Sequence, residues 1–207
     1  IFCKLLEKNK IYSYKIFERK NSIDLNDGYG IQLSVNSIKL LNNIGFSKFS
    51  KSQLYFPKKV NFLNAHDSKK ICDIDLSKFN DENNRYTTLK RSNLIKFLLD
   101  GIPKDKLTFN CELKGIKQGD KISLLFSDKK TDEFDYLVSA DGIYSKTKQI
   151  LFKTEGLPEY FDTIALRGTI RDFNSSDISL YLGSNFHFVI YPVNQNNEFN
   201  FIAIIRK

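Results

Sequence analysis

No methionine and no tryptophan occur among the 207 residues of this chain. It opens IFCKLLEKNK, with apolar residues at helical spacing and no capping residue ahead of them. An opening without an initiator that reads as the middle of a helix predicts a segment taken from a longer protein. Cysteine is scarce, and Cys3, Cys72 and Cys111 are far apart with no CxxC pair. That spacing argues against a disulfide framework or a metal site and favours a reducing cytoplasm. No apolar run approaches the roughly 20 residues a helix needs to cross a bilayer, and the opening does not read as a signal peptide. Hydrophobic content of 41%, with 14% aromatic, is nevertheless that of a globular protein. A chain of 207 residues can bury a sizeable core, in one domain or in two small ones.

The formal net charge is +8 and the pI about 9.2, a balance that invites a nucleic-acid reading. The lysines are spread along the whole chain, however, and interleaved with Asp, Glu and Asn. The one dense cluster, Lys58-Lys59, is short. Solvated lysines on most faces explain the charge more simply, so no nucleic-acid partner is expected. A basic, non-enzymatic module that binds nucleic acid or protein is the remote alternative, and weak peripheral attraction to an anionic membrane is another charge-driven contact.

Along the chain, Ile1 to Lys8 has helical spacing and Ile11 to Phe17 alternates like a strand, closed by Glu18-Arg19. A helix followed by a strand with an acidic tip matches the second half of a βαβ nucleotide unit, in which that carboxylate accepts from ribose hydroxyls. Solvation of a strand end explains Glu18 equally well. Gly28 and Gly30 predict a flexible loop, followed by Gln32 with its amide free for a polar ligand and by a helix capped at Ser34 or Asn36. Residues 53–76 read as edge strands or hairpins. Tyr86 to Lys90 is extended, and Arg91-Ser92 opens a helix that ends at Gly101. Leu107 to Asn110, Glu112 to Lys117 and Lys121 to Phe126 alternate as strands.

The most informative stretch is FDYLVSADGIYSKTK, from Phe134 to Lys148. It predicts a buried strand over Phe134 to Ser139, a tight turn at Asp141-Gly142 and a helix starting near Ser145. A strand leading through a Gly-containing turn into a helix presents backbone N–H groups to a phosphate, although an ordinary crossover looks the same. From Pro158 onward four strand-like runs follow, separated by Gly, Asn and Ser, which predicts an antiparallel sheet and a second domain starting near residue 157.

In their order and spacing, IFERK (Ile16 to Lys20), GYGIQLSVNSIKLLNNIGF, LKRSNLIKFLL (Leu89 to Leu99) and DYLVSADGIYSKTK resemble the class A FAD-dependent aromatic monooxygenases, which include salicylate hydroxylase-like and ubiquinone-biosynthesis hydroxylases. The resemblance implies a mixed α/β fold. An FAD-binding, Rossmann-like domain would span 1–48 and 86–156, and an antiparallel substrate-domain sheet would span 49–85 and 157–207. It implies a fragment without the family's GxGxxG loop and its later Gly-Asp motif. Glu18, Arg19, Gln32, Arg91, Asp141 and Gly142 fall at its cofactor positions, while Lys148 stands where the family usually has Arg. Arg167, His187 and Tyr191 are candidates for a small aromatic substrate; a surface Arg and ordinary sheet packing are the competing readings.

Such enzymes use NAD(P)H as co-substrate and hydroxylate through a flavin C4a-hydroperoxide, with no catalytic side chain or metal required. Only His66 and His187 are present, and His66 reads as a solvated loop residue. The same fold also serves epoxidases, halogenases and isoprenoid reductases. The absence of Trp disfavours the halogenases, which usually carry a Trp-rich motif.

Overall fold

The computed structural model describes residues 1–25, 29–154 and 158–206. Gly28 and the expected domain boundary near 157 lie outside the described residues. In chain order the helices are α1 (Phe2–Lys8), α2 (Val35–Asn42), α3 (Arg91–Leu99) and α4 (Lys146–Phe152). The strands begin with β1 (Ile16–Phe17), β2 (Gly30–Leu33), β3 (Leu54–Tyr55), β4 (Lys59–Asn64) and β5 (Lys70–Asp75). Then come β6 (Thr87–Lys90), β7 (Leu107–Thr108), β8 (Leu113–Gln118), β9 (Ile122–Phe126) and β10 (Thr131–Phe134). Last are β11 (Thr163–Arg171), β12 (Ile178–Leu182), β13 (Phe186–Pro192) and β14 (Glu198–Arg206). The result is a mixed α/β fold dominated by sheets. No described helix is long and apolar enough to cross a membrane.

Two compact units make up the chain. The first comprises residues 1–12, 24–102 and those from Asp162 onward. Its helices α2 and α3 cover a three-stranded antiparallel sheet ordered β2-β6-β3. The sequence dictates that packing: Ile38 and Leu41 on one face of α2 and Leu94 on α3 meet Leu33, Leu54 and Leu89 from the strands. Phe46 closes this core, stacked on Phe49 at 5.4 Å and edge-on to Phe97 at 5.2 Å. Each such buried Leu or Phe contributes roughly 1.5–3 kcal/mol relative to exposure.

A six-stranded sheet in the same unit runs β11-β14-β13-β12-β4-β5, antiparallel except for the parallel pair β12–β4. The strands after Pro158 are thus mutually antiparallel as expected, and the earlier strands β4 and β5 continue the same sheet. Strand β11 lies at its edge. There Gly168 faces Phe201, and the ring lies so close that a Cβ on Gly168 would sit 2.6 Å from its Cζ. The aromatic covers the surface the glycine leaves bare.

The second unit comprises residues 13–23 and 103–161. Strands β1 and β7 form a parallel pair, and β8, β9 and β10 form an antiparallel meander. Phe17 joins the two pieces, its ring 4.6 Å from Phe126 and 5.9 Å from Phe134. Helix α4 packs on β8.

The structure corrects four expected elements. Only Ile16 and Phe17 of the Ile11–Phe17 run are strand, because β7 offers just two partners. That strand in turn stops at Thr108 rather than Asn110, whose φ of 58° breaks the extended backbone. Gly30 is the first residue of β2, not part of a loop. The stretch Phe134 to Ser139 is not a buried strand: β10 ends at Phe134, opposite Ile122, the first residue of β9. Beyond that register β9 has no partner left to offer, and Tyr136 and Val138 are 89% and 61% exposed.

Candidate functional site

In the second unit, Glu18 follows directly on β1, at the carboxyl end of the parallel pair β1–β7. Ligands of α/β sheets bind outside the carboxyl ends of their strands. The Glu18 N–H continues the pairing by donating to Thr108 O at 2.9 Å, and its Oε1 accepts from Lys20 N at 2.9 Å. A carboxylate has about four lone-pair sites, so this one bond leaves capacity for ligand hydroxyls. Glu18 is half-buried and Arg19 exposed.

Asp141 and Gly142 form the turn before α4 and are exposed. Gly142 has a φ of 78°, in the left-handed region that favours glycine. Asp141 Oδ1 accepts from Ser139 Oγ at 2.6 Å and Oδ2 from Thr147 N at 2.9 Å. Ser145 Oγ accepts from Lys148 N at 3.0 Å. Burial pushes the Asp141 carboxyl up, but hydrogen bonds from Ser139, Ser145 and Thr147 outweigh it and hold the group far below the usual carboxylate range. Asp141 is therefore a fixed anion that caps α4, its acceptor sites largely taken up by its own turn.

The first unit gathers a second group of residues. On one face of the six-stranded sheet, Tyr191 stands in register with Asn200 and Thr169, and Val189 with Ile202 and Arg167. His187 is on that face too, in register with Ile204 and Ala165. Tyr191 is 1% exposed and belongs to an apolar cluster with Leu76, Ile178 and Val193, against which Tyr86 packs. Its phenol hydrogen-bonds with the Gln32 side chain. The Tyr86 hydroxyl donates to Gln32 Oε1 at 2.8 Å.

Burial, helped by the neighbouring Tyr86, pushes Tyr191 up to about 12, against the opposing pull of the Arg167 guanidinium and the Gln32 hydrogen bond. Burial likewise raises Tyr86. The structure thus brings Gln32, Arg167 and Tyr191 into one neighbourhood, with Arg167 exposed and Gln32 half-buried. The Gln32 amide is engaged by its own protein instead of standing free. His187 shares the face but lies four residues before Tyr191 on β13.

Sequence reasoning missed two members of this group. Tyr86 carried a faint signal, an aromatic directly before the TTLK strand. Asn200 carried a clearer one, a lone amide in the apolar run FNFIAII. Asn200 is fully buried, its Oδ1 accepts from Gly30 N at 2.6 Å, and its Nδ2 has no partner among the described residues. A buried donor left unpaired costs about 1–3 kcal/mol. Nearby, Lys90 and Glu198 form an ion pair at 2.6 Å and the Thr88 hydroxyl donates to Pro192 O, so the three-stranded sheet is pinned to β13 and β14. Arg91 opens α3 with its side chain exposed, and its N–H donates to Tyr29 O at 2.8 Å.

No family model matches the chain. It is similar to the 3-amino-4-hydroxybenzoate 2-monooxygenase PtmB3 of Streptomyces platensis, 23% identical over 187 residues, covering 86% of the chain and 47% of that protein. It is also similar to the salicylate hydroxylase of Pseudomonas putida, 24% identical over 138 residues, covering 58% of the chain and 32% of that protein. Among solved structures, a single-residue variant of HpxO of Klebsiella pneumoniae complexed with FAD superposes with a TM-score of 0.85 at 15% identity, over 99% of this chain and 54% of that one. A salicylate hydroxylase substrate complex gives a TM-score of 0.77 at 19% identity, over 99% and 52%. The chain therefore spans about half the length of the solved proteins it matches, and half or less of these curated relatives. In sequence the chain is similar to named monooxygenases, and in fold to an FAD complex and a salicylate hydroxylase.

Proposed function

We propose that this chain is part of an FAD-dependent monooxygenase that uses NAD(P)H and O₂ to hydroxylate a small aromatic substrate. The observation that carries the reading is similarity to named monooxygenases over 86% of the chain, joined to the fold of an FAD complex over 99% of it. When bound, FAD reduced by NAD(P)H supplies the activation of O₂.

The chain's own residues bind and orient. Glu18, at the carboxyl end of a parallel strand pair, accepts from ribose hydroxyls, and Arg19 adds positive charge beside it. Asp141, held ionised by its own turn, accepts from hydroxyls, while Gly142 lets the backbone approach closely. Gln32 and Arg91 are the proposed cofactor contacts of the first unit. Arg167 offers a guanidinium for an anionic substrate group. Tyr191, kept protonated by burial, orders the Gln32 side chain beneath that face, and His187 extends the same face. The test is to produce the protein from its full reading frame. It should purify yellow and oxidise NADH or NADPH faster when a phenolic acid is added. A well-folded protein that stays colourless with added FAD would refute the reading.

A further inference from the structure

Asn200 lies on β14, with β13 on one side and β11 on the other, and is fully buried. Its amide reaches out of the six-stranded sheet to the first residue of β2. Strand β2 pairs with β6 along one side only. On its other side the Gly30 N–H meets no strand and donates to Asn200 Oδ1 at 2.6 Å. The approach is tight enough that a Cβ on Gly30 would lie 2.6 Å from Asn200 Cβ and 2.8 Å from Val193 Cγ1. Two residues along β2 is Gln32, which receives the Tyr86 hydroxyl. One residue back is Tyr29, whose carbonyl receives the N–H of Arg91.

An apolar side chain of similar volume would remove the unpaired Nδ2 but leave the Gly30 N–H without its acceptor, so burial alone does not select the amide. What the amide provides instead is a fixed point at the strand end from which Gln32 is presented. We propose that Asn200 is a positioning residue for the Gln32–Tyr86–Tyr191 cluster, acting through the Gly30 backbone. Its functional meaning rests on the flavin reading above, in which Gln32 contacts the cofactor.

Amide hydrogen exchange on the 207-residue chain tests the geometry. In Asn200→Ala, exchange at Gly30 should rise at least tenfold more than at Val189 or Ile202. Asn200→Asp keeps an acceptor in the same place and should stay within threefold of the parent at Gly30. If Asn200→Ala does not fold, Gly30→Ala replaces it, since the added Cβ should push β2 away and produce the same local loss. A uniform rise across β2, β13 and β14, or Asn200→Asp exchanging as fast as Asn200→Ala, overturns the proposal.

Quenching of FAD fluorescence in the protein made from its full reading frame supplies the functional arm, with a tenfold weaker affinity expected in Asn200→Ala and not in Asn200→Asp. Selective loss of Gly30 protection with unchanged FAD affinity would overturn the cofactor role of the positioning. Selective loss of Gly30 protection, with no FAD bound by the protein made from its full reading frame, would support the positioning and count against the flavin reading.

Discussion

The Tyr86 hydroxyl and the Gln32 amide meet across 54 residues of sequence, in a half-buried setting where each satisfies the other. Tyr86→Phe removes the donor and leaves Gln32 Oε1 short of a partner while keeping the ring in its apolar cluster. The expected loss is about 1 kcal/mol, since a net hydrogen bond contributes roughly 0.5–1.5 kcal/mol, and urea unfolding monitored by circular dichroism measures it. An unchanged midpoint would mean that the bond adds nothing beyond what solvent already supplies. Tyr191 itself was legible as a strand residue, a substrate candidate with ordinary sheet packing as the competing reading. That the residue is 1% exposed with its phenol against Gln32 was not, because alternation assigns a face and says nothing of what covers it.

Among the elements, α4 is the most local in origin. Ser145 and Asp141 accept from the backbone N–H groups of Lys148 and Thr147, so its start is encoded within a few residues of sequence. The Asp141 carboxyl is lower in the folded chain than its ordinary value of 3.8. Its stabilisation is therefore fully present above that value and is lost as pH falls below it. Asp141→Asn should weaken the chain at neutral pH and flatten its loss of stability between about pH 4 and about pH 2. Thermal unfolding of both proteins across that range decides it, and equal slopes would remove Asp141 from the acid response.

The SADG segment announced this turn and the start of the helix correctly, and α4 runs from Lys146 to Phe152. The strand expected ahead of it failed for a non-local reason. DYLVSA has strand composition, but composition cannot supply a partner, and β9 has run out at Ile122.

For the whole molecule, Arg91 is the charged residue among the cofactor contacts proposed for the first unit. In the protein made from its full reading frame, Arg91→Ala should raise the Kd for FAD at least tenfold. Loss of a charge-assisted hydrogen bond costs about 1.5–3 kcal/mol, and each 1.4 kcal/mol is about a factor of ten. Glu18→Gln should cost less, because the amide still has an acceptor oxygen. Equilibrium titration of the apoprotein measures both, and unchanged affinity in Arg91→Ala would remove that residue from the cofactor contacts.

By itself, the sequence determined what local physics controls. Helical and alternating periodicities placed α1 to α4 and most strands, polar residues and glycines marked the turns, and the order of four motifs pointed to the flavin-dependent hydroxylases. Tertiary structure alone decided which of these pieces meet. Asn200 reaches Gly30 across 170 residues, β12 takes β4 as a parallel neighbour, and Tyr191 finds Gln32 rather than solvent. Such pairings depend on strand register and sheet order, which are set by burying all the apolar faces at once, and no window of sequence contains that information.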